Sequence, residues 1–146
     1  MIMSKNLLLA LLFISQMAGA QNWLTDFEKA KEEAKLSNKS IVMVFSGSDW
    51  CAPCIKLDKD IWQSPEFKAY AEDNFVMLRL DFPRRKANAL PPKQTEANKA
   101  LADKYNPNGY FPFVVVFNSA LNKRGETGYK KMSPQEYINH LSAFLK

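Results

Sequence analysis

The sequence predicts one α/β domain built on a mixed central β-sheet flanked by helices on both faces. Three observations carry this. Residues 41–45 (IVMVF), 75–82 (FVMLRLDF) and 113–117 (FVVVF) are short, largely apolar runs rich in β-branched and aromatic residues, the pattern of strands buried on both faces. The stretches between them carry helix-start signals and apolar residues at helical spacing. The length of 146 residues leaves room for one ordinary domain and not for two.

Taken in order, Thr25 followed by Glu28 forms a capping-box signature, with Phe27, Ala30 and Ala34 at helical spacing. This helix is expected to reach about Leu36, where Ser37-Asn38-Lys39 breaks the pattern. After the first strand, Ser46-Gly47-Ser48-Asp49 reads as a turn, and Cys51 stands where the next helix begins, with Leu57 and Ile61 on its apolar face. Ser64-Pro65-Glu66 restarts a helix, Ser as cap and Pro at the first helical position. The second strand follows. Residues 83–92 then read as an irregular loop, and residues 94–105 as a helix with Ala97, Leu101 and Ala102 inward. Asn106-Pro107-Asn108-Gly109 is a turn, and Pro112 opens the third strand. A polar turn over residues 118–125 leads to a short edge strand around Glu126 to Lys130. Ser133-Pro134-Gln135-Glu136 is a second capping box, opening a helix with Tyr137, Ile138, Leu141, Phe144 and Leu145 on one face. Alternating β and α units followed by a hairpin imply a mixed sheet.

With 47% hydrophobic and 12% aromatic residues, the chain is not of the disordered class. The net charge of +5 is spread along the sequence. Its one tight basic run, Arg84-Arg85-Lys86, reads as a solvated loop, because it lacks the interleaved aromatics on which single-strand binders stack bases. No nucleic-acid partner is expected. At the N-terminus, Lys5 precedes the apolar run of residues 7–14 (LLLALLFI), and Ala18-Gly19-Ala20 supplies small residues for cleavage before Gln21. Residues 1–20 are therefore expected to be a cleavable signal peptide, with residues 21–146 as the mature, exported domain. The run is short for a bilayer span, so no stable membrane insertion is expected once the signal is cleaved.

The mature part holds two cysteines, Cys51 and Cys54, in a Cys-Ala-Pro-Cys segment. A disulfide between them closes a minimal loop and removes little entropy from the unfolded chain, so reactivity explains the pair better than stapling. Exchange chemistry needs an attacking thiolate and a second thiol to resolve the mixed disulfide. Two intervening residues let the sulfurs meet within one helical turn. At a helix start, unpaired N–H groups and the dipole favour the Cys51 thiolate as nucleophile. Cys54, one turn in, is expected to be more buried and to act as the resolving thiol. Pro53 suits the first turn, where no backbone donor is needed, and Trp50 offers a flat apolar surface to a partner polypeptide. A zinc site would need four ligands, and the single histidine, His140, lies far along the chain and reads as a surface or packing residue. No metal and no cofactor are expected. Copper held by two thiolates and an inert disulfide are the competing readings of the pair.

The segment Phe45-Ser46-Gly47-Ser48-Asp49-Trp50-Cys51-Ala52-Pro53-Cys54 resembles the active-site region of thioredoxin-like proteins, and Gly109-Tyr110-Phe111-Pro112 is similar to that family's cis-proline loop. The resemblance spans nearly all of the mature chain. It implies a thioredoxin fold, a cis bond before Pro112, and a site in which Pro112 shields the sulfur pair while Phe111 offers backbone to substrate. It also implies exported, cysteine-containing protein substrates in a bacterial periplasm and, for a reductase, a membrane dithiol electron donor. Three departures stand out. Phe45 occupies the position of thioredoxin's buried aspartate, which removes the expected proton acceptor for Cys54 and leaves Asp49 as a substitute or a plain turn residue. The 83–105 segment is longer, and a bulky Phe111 precedes the proline. The Ala-Pro spacer resembles that of reducing members and lacks the histidine of oxidases and isomerases, which favours a reductase or interchange protein. The alternatives are an oxidase or isomerase, a chaperone-like module with a vestigial pair, and a metal-delivery protein.

Overall fold

In the computed structural model, which describes residues 21–146, the three apolar runs become the inner strands of a five-stranded sheet of order β1-β3-β2-β4-β5. The expected signal peptide, residues 1–20, lies outside the described residues. The strands are Trp23–Leu24 (β1), Ser40–Ser46 (β2), Phe75–Asp81 (β3), Phe113–Phe117 (β4) and Lys123–Thr127 (β5). β1 and β2 run parallel to β3, whereas β4 is antiparallel to both β2 and β5. Because side chains alternate along a strand, Ile41, Met43 and Phe45 face one side, and Val42 and Val44 the other. Helices Phe27–Ser37 (α1) and Pro92–Tyr105 (α4) close the first face. Helices Ala52–Leu57 (α2), Pro65–Asn74 (α3) and Pro134–Ala143 (α5) close the second. This is the mixed sheet with two helical layers that the sequence predicts.

Several boundaries differ from expectation, each for a local reason. The cap of α1 is Asp26 rather than Thr25: its carboxylate accepts from the N–H groups of Glu28 and Lys29 at 2.8 and 3.3 Å. Thr25 instead follows β1, a two-residue edge strand too short to leave a periodic signal. Helix α2 runs on through a π-helical turn, Asp58–Trp62, before Ser64 caps α3. Helix α4 starts at Pro92, and Ala97 is exposed while its neighbour Asn98 is only 1% exposed. The Asn98 amide donates to the carbonyl of Asp81 at 3.0 Å and accepts from Gln94 at 2.7 Å. Hydrophobic periodicity cannot reveal a buried amide chosen for its hydrogen bonds. The edge strand β5 lies three residues earlier than expected. The tighter 118–122 turn, with Leu121 in the left-handed region (φ 67°) and the side chain of Asn118 accepting from Asn122, brings the chain back sooner.

The C-terminal helix matches its signature. Ser133 and Glu136 form the reciprocal capping box, and Tyr137, Ile138 and Leu141 are buried, with Phe144 and Leu145 packed alongside. Among the described residues, no helix is long and apolar enough to cross a membrane.

Candidate active site

The site grows from the end of β2. The chain leaves the sheet at Ser46 and folds back over Gly47, whose carbonyl accepts from the N–H groups of Trp50 and Cys51 at 3.3 and 2.9 Å. Cys51 is the N-cap of α2, with extended backbone (φ −94°, ψ 100°), and its sulfur accepts the Cys54 N–H at 3.3 Å. The two cysteines are joined as a disulfide with Cα atoms 5.2 Å apart. Pro53 sits in the first helical turn, exposed, where its missing N–H costs nothing. Joined as a disulfide, the two cysteines are buried to nearly the same extent as residues, Cys51 4% and Cys54 3% exposed. Bonded to each other, they share one covered position.

Trp50 forms the wall beside the pair. Its indole lies directly on Gly47, where a Cβ would fall 2.3 Å from the ring, so only glycine leaves space for it. The indole N–H donates to the carbonyl of Phe82 at 2.7 Å. The ring meets Phe111 edge-on at 5.4 Å between centroids, and Phe111 in turn meets Phe82 at 5.3 Å. The Arg84 guanidinium covers the indole at 3.6 Å, a cation–π contact.

Hydrogen bonds hold this arrangement to the end of β3. The Phe82 N–H donates to the Ser46 carbonyl at 2.9 Å. The Asp81 carboxylate accepts from Ser48 N–H and hydroxyl at 2.9 and 2.6 Å. The Asp49 carboxylate accepts from the N–H groups of Arg84 and Arg85, both at 2.9 Å, and from the Asn88 amide at 3.0 Å. Those donors, the Arg84 N–H foremost and then Asn88, hold the Asp49 pKa at about 2. Of its two expected roles, Asp49 therefore takes the structural one: a carboxylate so weakly basic and so fully engaged is a clamp for the 84–88 loop. Phe45 lies in an apolar cluster with Phe82 and Phe113.

The other landmark arrives from β4. The Phe111–Pro112 peptide bond is cis and Pro112 is buried. The preceding loop is braced by Asn106, whose amide donates to the Tyr110 carbonyl at 2.8 Å and accepts the Tyr110 N–H at 3.0 Å. Gly109 takes the left-handed conformation there (φ 67°). Trp50, Cys51, Cys54 and Phe111 are thus gathered at the same end of the sheet. His140 belongs elsewhere: it is bonded to Thr127 at 2.8 Å and lies between Tyr137 and Phe144, a packing role. The sequence does not mark Asp81, whose partner Ser48 lies 33 positions away. Nor does it mark Asn106 and Gly47, whose partners Tyr110 and Trp50 are near in the chain but whose roles depend on side-chain placement rather than on a periodic pattern.

Residues 22–119 match the family model described as thioredoxin-like. The chain is 32% identical over 130 residues to the disulfide bond reductase DsbH of Chlamydia pneumoniae, covering 89% of this chain and 76% of that protein. It also resembles a solved structure of the DsbH oxidoreductase with a TM-score of 0.79 and 30% identity, over 89% of this chain and 88% of the other. A disulphide isomerase from Xylella fastidiosa Temecula1 shares the fold, with a TM-score of 0.61 and 23% identity over 87% of this chain and 100% of its own.

The Asp49 clamp generates a pH prediction. A carboxyl whose pKa falls from 3.8 to about 2 on folding stabilises the folded state above its unfolded pKa and loses that contribution as pH falls toward the folded value. Urea melts should therefore show wild type more stable than Asp49→Asn at pH 6, with the gap shrinking between about pH 4 and 2. A gap that stays constant across that window would show that the carboxylate charge does not hold the loop.

Proposed function

The chain belongs to the thioredoxin-like family and is a thiol–disulfide oxidoreductase; from that premise we propose that it reduces or interchanges disulfides of exported proteins, with Cys51 as nucleophile and Cys54 as resolving thiol. The observation that carries this is the position of Cys51 at the N-cap of α2, with its sulfur accepting a helix N–H and bonded to Cys54. The same N–H groups and the helix dipole favour a thiolate there.

In the reducing direction, the Cys51 thiolate attacks one sulfur of a substrate disulfide. A Cys51–substrate mixed disulfide forms and the other substrate sulfur leaves as a thiolate. Cys54, deprotonated, then attacks the Cys51 sulfur, breaks the mixed disulfide and releases the second substrate thiol. Two electrons pass to the substrate and the Cys51–Cys54 disulfide remains. Half-buried Phe111 and Trp50, the latter capped by Arg84, line the approach of the polypeptide, and the Phe111 backbone beside Pro112 supplies its hydrogen bonds. A membrane dithiol donor recharges the pair. The Ala52-Pro53 spacer supports the reducing direction, as does the likeness to a disulfide bond reductase. Residues 1–20 act as a signal peptide that delivers the domain to the periplasm.

Three measurements test this. Incubated with a disulfide-bonded protein, Cys54→Ser should accumulate a mixed disulfide visible on a non-reducing gel, and Cys51→Ser should form none and show no reductase activity. Trapping by Cys51→Ser alone would reverse the two roles. Equilibration in glutathione buffers should give a reduction potential near thioredoxin's roughly −270 mV, whereas about −120 to −180 mV would make the protein an oxidase or isomerase. Mass spectrometry of the exported protein should find Gln21 at its N-terminus; an intact leader would show that residues 1–20 are retained.

A further inference from the structure

The basic run Arg84-Arg85-Lys86 has no part in the exchange chemistry described above, and as sequence it reads as solvated loop. The fold places it at the dithiol. The loop is pinned through the Arg84 and Arg85 N–H groups to Asp49, two residues before Cys51, and the Arg84 guanidinium lies on Trp50, the residue next to Cys51. All three side chains are exposed, and among the described residues none of them forms an ion pair. Asp49 accepts the loop's own N–H groups and feels the Arg85 charge without forming an ion pair with it, and Asp81 holds Ser48. A guanidinium stacked on an aromatic ring keeps its N–H donors at the perimeter. Arg84 therefore presents donors and positive charge from a fixed position, which lowers the ordering cost of binding.

We propose that Arg84, Arg85 and Lys86 form a docking rim for acidic polypeptide, so that the preferred substrates carry Asp or Glu close to the cysteine that bonds to Cys51. This rests on the oxidoreductase reading. In the mixed disulfide, the substrate cysteine is covalently held to the neighbour of Trp50, and residues flanking it pass within reach of the rim. The attraction acts at an exposed surface, so it is modest for each charge and weakened by salt. It sets which disulfide is chosen and leaves the chemistry of exchange unaltered.

The experiment uses the purified protein in reduced form and two disulfide-bonded peptides of equal length, with the cysteines flanked by Glu in one and Gln in the other. At low salt, kcat/KM should favour the Glu peptide by on the order of tenfold, three modest ion pairs together. In 0.5 M salt the ratio should fall toward one. Arg84→Gln/Arg85→Gln/Lys86→Gln should remove the preference. Arg85→Glu/Lys86→Glu, which keeps the Arg84–Trp50 stack, should reverse it toward the Gln-flanked peptide and guards against a folding defect in the triple variant. Equal rates on the two peptides in wild type, or a preference that survives both variants, would overturn the rim. Failure to reduce either peptide would overturn the oxidoreductase reading itself, and the rim with it.

Discussion

Strand β2 is buried on both faces from Ile41 to Phe45, with β3 hydrogen-bonded along one edge and β4 along the other. A strand enclosed on all four sides has nowhere to shift, because a one-residue slip would turn each side chain to the wrong face. Its end is therefore a fixed point from which the Ser46–Cys51 turn projects. The parallel neighbour β3 ends beside it, and the antiparallel neighbour β4 begins beside it. Three chain segments consequently meet at one end of the sheet: the turn bearing Cys51, the loop after Asp81 and the cis-proline loop.

What joins them is polar at the edges and aromatic between. Asp81 and Asp49 each reach across from one segment to the N–H groups of the other, and the Trp50 indole N–H closes the same gap on the Phe82 carbonyl. Phe111 then packs against both Trp50 and Phe82. Buried Asn98 ties α4 to the Asp81 carbonyl from behind, which makes the long 83–105 segment a brace for the site rather than a free insertion. Phe45 completes an apolar cluster with Phe82 and Phe113. An uncharged side chain at this position spares the α1/α4 face of the sheet a buried charge, which is costly without a partner.

Much of this was readable from residue order. The three inner strands are continuous apolar runs, and the C-terminal helix opens on a capping box that needs only local bonds, so both follow from sequence alone. Cys51 and Cys54 are recognisable because their chemistry depends on spacing and on a helix start, which are local properties as well. The two-residue β1 and the starting point of β5 were not readable, since pairing with a neighbour rather than composition defines them.

Sequence by itself determined the fold class, the dithiol and its helix-start position, because hydrophobic period, capping residues and a two-residue spacer act within a few positions of one another. Tertiary structure alone decided that Asp49 is a clamp and Gly47 a seat for Trp50. It also decided that Asn98 is buried and that Arg84 stands over the indole. Each of these depends on contact between residues at least ten positions apart, or on the space one side chain leaves for another, except for the seat at Gly47, where the decisive fact is the volume occupied by the indole. Such contacts arise only when the sheet has brought the segments together, and local pattern carries no record of them.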